Sequence, residues 1–145
     1  MEVGKEEWGA NPDLLDYVKS SHKGWRVIAV EDDNPHRIAF KERAEQWFDE
    51  LGVVRRSVVT FLSIQPPERG DGYAEAYPHS HNDVIIYYLD PSDVPTPLHI
   101  FDEGKVVDEV VPYAGLSVYV PKQVLHGVPK HKGERDRIQI IAMAK

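Results

Sequence analysis

The segment PHSHNDVIIYYLD, residues 78–90, carries His79, His81 and Asp83 at alternate positions directly before a run of β-branched and aromatic residues. In an extended chain, residues two apart point to the same side. His81 and Asp83 can therefore direct an imidazole nitrogen and a carboxylate oxygen toward one point, as a metal site or an acid–base pair requires. Because so short a motif also occurs in ordinary polar loops, its meaning depends on the rest of the chain.

A third candidate, His126, ends a predicted strand in the segment AGLSVYVPKQVLHGV, well after Asp83 in the chain. In an antiparallel β-sandwich, strands this far apart in sequence can face one interior. Two histidines and one carboxylate on one side of a metal leave open coordination positions, which is the arrangement of non-haem Fe(II) oxygenases. His81, Asp83 and His126 are therefore candidate metal ligands and a candidate catalytic centre, with a polar loop in which neither His81 nor Asp83 contacts a metal as the alternative.

Two arginines, Arg135 and Arg137, share one face of the last predicted strand by alternation. A buried arginine is costly unless an anion pairs with it, and a carboxylate suits its planar fork best. The pair therefore predicts a binding site for a carboxylate. The alternative is a solvated basic turn, because Lys130, His131 and Lys132 precede the pair.

The composition limits the possible functions of the 145 residues. With 17 basic and 24 acidic residues, the formal charge is -7, which disfavours binding to nucleic acid or to an anionic membrane. The sequence has no cysteine, so a metal must be held by histidine, carboxylate or carbonyl groups, which suit iron, manganese or zinc. No signal peptide or membrane-spanning segment is evident, and we expect a soluble cytoplasmic protein.

Two helices near the N-terminus are predicted from the same start signal, an Asn at the cap followed by Pro at the first helical position. They are NPDLLDYVKSSHKG and NPHRIAFKERAEQWFDELG, and Gly24 and Gly52 supply their ends. In the second helix, apolar residues recur at helical spacing and form a stripe that must pack on another layer. The stripe comprises Phe40, Ala44, Trp47, Phe48 and Leu51.

Short strands separated by turns follow the helices. They predict a mainly β fold, an antiparallel double-stranded β-helix or jelly roll with the N-terminal helices packed on one face. We predict a single domain over residues 1–145, with a helical layer and one short strand, WRVIAVE, over 1–52 and a β core over 53–145. The predicted core strands are VVRRSVVTFLSIQ, YAEAYPHSH, VIIYYLD, PLHIFD, KVVDEVV, LSVYVP, VLHGV and RIQIIAMA. Exposed sheet edges permit a homodimer without requiring one.

Together these features resemble the 2-oxoglutarate and Fe(II)-dependent dioxygenases, whose pattern is HxD, then a distal His, then an Arg. Here the pattern falls on His81-Asn82-Asp83, on His126 and on Arg135, which follows His126 by nine residues. The resemblance extends over about half of the chain, from Tyr73 to Ala144. The family commonly has Ser or Thr two residues after its Arg, and this sequence has a second Arg there.

The resemblance implies that the two histidines and the aspartate bind Fe(II), with 2-oxoglutarate as co-substrate. It also implies that Arg135, helped by Arg137, binds the far carboxylate of 2-oxoglutarate. Such an enzyme would use O2 to oxidise a small-molecule or peptide substrate, which the sequence does not identify. Tyr73 and Tyr87 are candidates to line the pocket, and Tyr73 also to contact the co-substrate, although buried tyrosines more often simply pack.

A second resemblance is to the cupins, which share the jelly roll. Their first motif, HxH followed by Glu, is matched at His79 and His81 but has apolar residues at the Glu position. Their second motif fits residues 115–126 with Gln in place of one Gly. A cupin-type site would use His79, His81 and His126, with Asp83 as a displaced fourth ligand. A further alternative is a non-enzymatic jelly-roll binding module with a structural metal.

Overall fold

A computed structural model describes residues 2–21, 27–67 and 81–145. Within these ranges the chain forms two helices and nine strands, which confirms a mainly β fold with N-terminal helices. The helices are α1 (Pro12–Ser21) and α2 (Pro35–Glu50). The strands are β1 (Gly4–Glu7), β2 (Ile28–Val30), β3 (Val58–Gln65), β4 (Val84–Asp90), β5 (Leu98–Asp102), β6 (Lys105–Val110), β7 (Leu116–Val120), β8 (Leu125–Gly127) and β9 (Arg137–Ala144).

Both helices begin as the Asn-Pro signals predict. The side chain of Asn11 accepts a hydrogen bond from the backbone N–H of Leu14 at 3.0 Å, and that of Asn34 accepts one from His36 N–H at 2.9 Å. Each cap satisfies a backbone donor that has no partner within its helix. After α2, Gly52 adopts a left-handed φ of 73°, as the predicted helix end requires. Gly24, the predicted end of the first helix, lies outside the described residues.

The strands form two antiparallel sheets. The large sheet has the order β1-β7-β4-β9-β3-β2, and the small sheet has the order β6-β5-β8. Every predicted strand within the described residues is present, and β4 and β9 have the predicted bounds. The predicted strand YAEAYPHSH lies outside those residues. β1 was not predicted, because the sequence GKEE has no strand propensity and gains its strand conformation by pairing with β7.

One face of the large sheet packs against the helices. On β4 this face carries Ile85, Tyr87 and Leu89, which share a buried cluster with the stripe of α2. Leu51 is an exception to the predicted stripe, since it follows the last residue of α2 and is 36% exposed. The ring centroids of Trp8 and Tyr87 lie 5.2 Å apart within this layer, so the residues after β1 belong to the same packed interface.

A buried polar network ties the helices to the large sheet. Arg37 donates from Nε to Asp32 Oδ1 at 2.9 Å and from Nη1 to Thr60 Oγ1 at 3.0 Å. Tyr17 of α1 donates its phenolic hydrogen to the same aspartate. Since a buried guanidinium is tolerated only when it is paired, this network accounts for a charged residue on the packed face of α2.

The opposite face of the large sheet packs against the small sheet. Alternation along β4 turns Val84, Ile86 and Tyr88 to this side, where they join the inward residues of β5 and β7. Within the described ranges, no helix is long and apolar enough to cross a membrane. The space between the two sheets is where the candidate site lies.

Candidate ligand site between the two sheets

A cavity of about 320 Å³ lies between the sheets, and we call it the histidine cavity. Its lining residues are Val27, Phe61, His81, Asn82, Val84, Ile86, His126, Ile141 and Met143. His81 and His126 thus share one cavity although they are far apart in sequence. The rest of the described lining is mostly apolar, as is typical of small-molecule sites with few polar groups.

His126 is held with a defined orientation. It lies on β8, pairs with Ile100 of β5 and is only 8% exposed. Its Nδ1 lies 3.1 Å from the carbonyl oxygen of Val124. Because a carbonyl only accepts, Nδ1 carries the hydrogen, and the lone pair of the neutral ring is then on Nε2. A backbone carbonyl that orients an imidazole in this way is a common feature behind metal-ligating histidines.

His81 lies at the exposed rim of the histidine cavity, where the chain bends at His81 and Asn82 before β4 begins. The Asn82 amide donates to the carbonyl oxygen of Ala144 at 3.1 Å and so ties this bend to the end of β9. Residues two apart point to the same side only where the chain is extended. The bend therefore allows His81 and Asp83 to face different surroundings.

Asp83 does not line the histidine cavity. Its Oδ1 accepts a hydrogen bond from the Tyr119 hydroxyl at 2.7 Å and another from Lys122 N–H at 3.0 Å. Tyr119 belongs to the helix-side cluster, and its burial, together with the bond to Asp83, raises the pKa of its phenol. The phenol therefore stays protonated and donates to the carboxylate.

Among the described residues, the donor set for a metal is accordingly incomplete in the conformation observed. Within residues 2–21, 27–67 and 81–145, no three His, Asp or Glu side chains are grouped closely enough to hold a metal ion. The two imidazoles fit a first-row metal such as iron, whereas the carboxylate of Asp83 is engaged elsewhere. His79, the ligand of the cupin-type alternative, lies outside the described residues, and so does Tyr73.

A second, smaller cavity of about 120 Å³ adjoins the first, and we call it the arginine cavity. The two cavities share four lining residues, namely Val27, Ile86, His126 and Ile141. The arginine cavity is also lined by Ser63, Gln65, Tyr88, Leu98, Gly127, Val128, Arg137 and Gln139. It therefore holds most of the polar side chains on this face of the large sheet.

Arg137 is the charged residue of the arginine cavity. It is 1% exposed, lies opposite Gln65 in the β3–β9 pairing and donates from Nη2 to the Gln65 side-chain oxygen. Burial strengthens the electrostatic interaction of a guanidinium with an anion, because water no longer screens it. This position is suited to a carboxylate on a ligand.

Arg135 lies at the surface, although it shares a face of the chain with Arg137. It precedes β9, its side chain is 58% exposed and its Nη2 lies 3.2 Å from Asp90 Oδ1. The sequence predicted that the two arginines bind one carboxylate together. In the structure, Arg137 lines the arginine cavity and Arg135 does not. The reason is that β9 begins at Arg137, so only the later of the two arginines lies within the large sheet.

The loop before β9 is anchored by the loop after β4. Asp93 Oδ1 accepts hydrogen bonds from Glu134 N–H at 2.8 Å and Arg135 N–H at 3.1 Å. The hydroxyl of Ser92 lies 2.7 Å from the same oxygen and lowers the pKa of Asp93 together with these N–H groups. His131, fully buried, lies 2.8 Å through Nε2 from the Arg135 carbonyl. This anchor was not predicted, because its one visible signal in the sequence is the turn-forming segment PSD.

Tyr87, a candidate pocket residue, lines neither the histidine cavity nor the arginine cavity. Its position on β4 turns it to the helix side, where it belongs to the buried cluster with Phe40. Its hydroxyl donates to the carbonyl oxygen of Gly9. Tyr88, one residue later, faces the arginine cavity instead, because successive side chains of a strand point to opposite faces of the sheet.

Known structures with a similar fold include two bacterial proteins. A prolyl-4-hydroxylase from Pseudomonas putida superposes with a TM-score of 0.71 at 15% identity, covering 99% of this chain and 91% of the other. An oxidoreductase of the 2OG-Fe(II) oxygenase family from Burkholderia pseudomallei superposes with a TM-score of 0.62 at 11% identity, covering 90% of this chain and 75% of the other. No protein-family model and no curated protein sequence matches the chain. At this level of identity the similarity establishes the jelly-roll fold.

Proposed function

We propose that the protein is a non-haem Fe(II) and 2-oxoglutarate-dependent oxygenase that acts on a small-molecule or peptide substrate. One observation carries the proposal: two imidazoles line one cavity, and a buried guanidinium lines the cavity next to it. The jelly-roll fold, shared with two oxygenases, supports the same class of function. Fold alone does not define chemistry, so the proposal rests on the residues.

The metal would be held by His81 and His126, whose neutral imidazoles suit iron. The backbone carbonyl that accepts from Nδ1 of His126 would keep Nε2 directed as a ligand. Bound iron would supply the activation of O2. Asp83 is the third ligand that the HxD motif proposes, and it would have to exchange its bonds to Tyr119 and Lys122 for a bond to the metal.

The far carboxylate of 2-oxoglutarate would bind at Arg137. The guanidinium is buried and already oriented by Gln65, so less side-chain entropy is lost when an anion binds. Arg135, which the family pattern favours, instead contacts Asp90 at the surface. We therefore assign the main role in carboxylate binding to Arg137.

A second candidate function is a cupin-type metal site that does not use 2-oxoglutarate. The observation that favours it is the engagement of Asp83 by Tyr119 and Lys122. In this alternative the ligands are His79, His81 and His126. The two candidates differ in the third ligand and in the dependence on a keto acid.

The test is an anaerobic titration of the apo-protein with Fe(II), then with 2-oxoglutarate, monitored in the visible region. An iron-chelated keto acid gives a metal-to-ligand charge-transfer band, which we expect for the wild type and not for His126→Ala. The matched control is His99→Asn, since His99 pairs with Glu109 and lines neither cavity. Failure of the wild type to bind iron would refute both candidate functions.

Two further variants identify the third ligand. If the band is lost in Asp83→Ala and kept in His79→Ala, the oxygenase ligand set is correct. If iron binds to the wild type without a band, and binding is lost in His79→Ala, the cupin-type function replaces the oxygenase. Circular dichroism of each variant separates loss of a ligand from loss of the fold.

A further inference from the structure

A further cavity, of about 170 Å³, lies on the helix side of the large sheet, and we call it the helix-side cavity. Its described lining comes from the segment after β1, from both helices and from Tyr87 of β4. Ile86 and Tyr88 of the same strand face the other side, toward the histidine cavity and the arginine cavity. The large sheet therefore separates the helix-side cavity from the candidate metal site.

Three aromatic side chains, Trp8, Phe40 and Tyr87, line the helix-side cavity. The ring centroid of Trp8 lies 5.2 Å from that of Tyr87 and 6.1 Å from that of Phe40. The rings of Phe40 and Tyr87 are stacked, with an interplanar angle of 13°. Phe40 and Tyr87 belong to the buried helix-side cluster, and Trp8 packs against it. Because the three rings hold one another in place, the aromatic wall is formed before any ligand binds.

The helix α2 adds two basic side chains to the same cavity. His36, Ala39, Phe40 and Arg43 recur at spacings of three and four and all line it, so they share one face of the helix. His36 and Arg43 are separated by roughly 10 Å along the helix axis, at about 1.5 Å per residue. Ala39 lies between them and carries only a methyl group, so it leaves room for a ligand between the two basic groups.

Arg43 is oriented without a carboxylate partner. Its guanidinium lies over the ring of Trp8, 4.5 Å from the centroid, which is the geometry of a cation–π contact. At three and four residues on either side of Arg43, the helix has Ala, Phe, Gln and Trp, and none of these can form an ion pair with it. Two other arginines, Arg37 and Arg55, do pair with aspartates. The oriented guanidinium of Arg43 can therefore donate to a ligand.

The electrostatics of the helix-side cavity favour an anion. Its described lining includes a guanidinium and an imidazole and no Asp or Glu. Burial raises the pKa of the Tyr87 phenol, which donates to the Gly9 carbonyl oxygen and so stays neutral. The carboxylate of Glu6 accepts from the indole N–H of Trp8 at 2.8 Å, and Glu6 does not line the cavity. In a chain with a formal charge of -7, such a local excess of positive charge attracts anionic ligands.

We infer that the helix-side cavity is a second ligand site, which binds a small aromatic carboxylate. The carboxylate accepts hydrogen bonds from Arg43, whose planar fork matches its two oxygens. His36 supplies a further donor, and the ring of the ligand packs against the aromatic wall. The inference does not depend on the proposed function, because the site lies across the large sheet from the candidate metal site and needs no metal.

The first test compares benzoate with benzamide, which has nearly the same shape and no charge. Each is titrated into metal-free wild-type protein, and the indole N–H resonance of Trp8 is followed by NMR. This resonance is assigned by its loss in Trp8→Phe. We expect a saturable shift with benzoate and about tenfold weaker binding of benzamide, because the charge-assisted hydrogen bond is lost. Acetate, which has the charge without the ring, should also bind at least about tenfold more weakly.

The second test uses two variants at exposed arginines. Arg43→Met should weaken benzoate binding about tenfold. Arg56→Met is the matched control, since Arg56 is also exposed and does not line the cavity, and it should keep the wild-type affinity. The dispersion of the amide spectrum checks that both variants are folded. Absence of a saturable shift in the wild type, equal affinity for benzoate and benzamide, or wild-type affinity in Arg43→Met would each overturn the inference.

These outcomes are distinct from failure of the proposed function. The titrations contain neither iron nor 2-oxoglutarate, so a missing charge-transfer band does not affect them. Conversely, a wild type that forms the band but gives no benzoate shift keeps the oxygenase function and loses the second ligand site.

Discussion

Asp83 and Tyr119 are joined by a hydrogen bond of 2.7 Å from the phenol to the carboxylate. The bond links the residue before β4 to β7, its neighbour in the large sheet. With Lys122 N–H on the same oxygen, the carboxylate holds the start of β4 against the turn after β7. The aspartate of the HxD motif therefore has a structural role in this conformation.

Tyr119→Phe tests that role. Removal of the phenolic hydroxyl should lower the free energy of unfolding by about 1–3 kcal/mol, since a donor to a carboxylate is lost. Urea unfolding measures the change, with the exposed Tyr113 as the control in Tyr113→Phe. If Asp83 is also a metal ligand, Tyr119→Phe should raise Fe(II) affinity by releasing the carboxylate. Unchanged stability would contradict the structural role of the bond.

Arg137→Met and Arg135→Met form a matched pair, since the two arginines lie two positions apart in the chain. We expect Arg137→Met to weaken 2-oxoglutarate binding at least about tenfold, because a buried charge-assisted hydrogen bond is lost. Arg135→Met should have little effect, since its exposed ion pair with Asp90 contributes about 0–1 kcal/mol. Calorimetry on the Fe(II) protein under nitrogen measures the 2-oxoglutarate affinity of both variants. If Arg135→Met weakened 2-oxoglutarate binding more than Arg137→Met, the carboxylate would be assigned to Arg135.

Alkaline pH should destabilise the protein through Tyr88. Burial raises the pKa of this phenol from 10.0 to about 12. Above pH 10 the unfolded chain loses the proton while the folded chain keeps it, so stability is intact below pH 10 and falls as pH rises toward 12. Urea midpoints at about pH 9 and about pH 11 measure the slope. Tyr88→Phe should show a shallower decline, and an identical decline would exclude Tyr88 as a cause.

Gly133→Ala tests the anchor of the loop before β9. A Cβ there would lie 2.5 Å from Ser92 Oγ and 2.7 Å from His131 Cε1, so the loops must move apart. We expect a loss of about 1–3 kcal/mol, typical of overpacking, and faster hydrogen exchange at the backbone amide of Arg135. Glu134→Ala, at an exposed position of the same loop, serves as the control. Normal exchange in Gly133→Ala would show that the anchor tolerates a methyl group.

Local features of the fold were predictable because they depend on neighbouring residues. The Asn caps satisfy backbone donors two and three residues away, and alternation along β4 and β9 follows from strand geometry. β1 was missed because its strand conformation depends on pairing with β7. The buried Arg37 was also missed, since its partners Asp32 and Thr60 meet it only in the tertiary structure.

Among the described residues, the sequence by itself determined every strand except β1, the helix caps and which side chains share a strand face. It placed His126 at the end of a strand and Arg135 and Arg137 on one face. Only the tertiary structure decided which of these side chains are buried. Alternation gives the direction of one side chain relative to another, but it does not determine at which residue a strand joins the sheet. The bend at His81 separates it from Asp83, and the start of β9 separates Arg135 from Arg137.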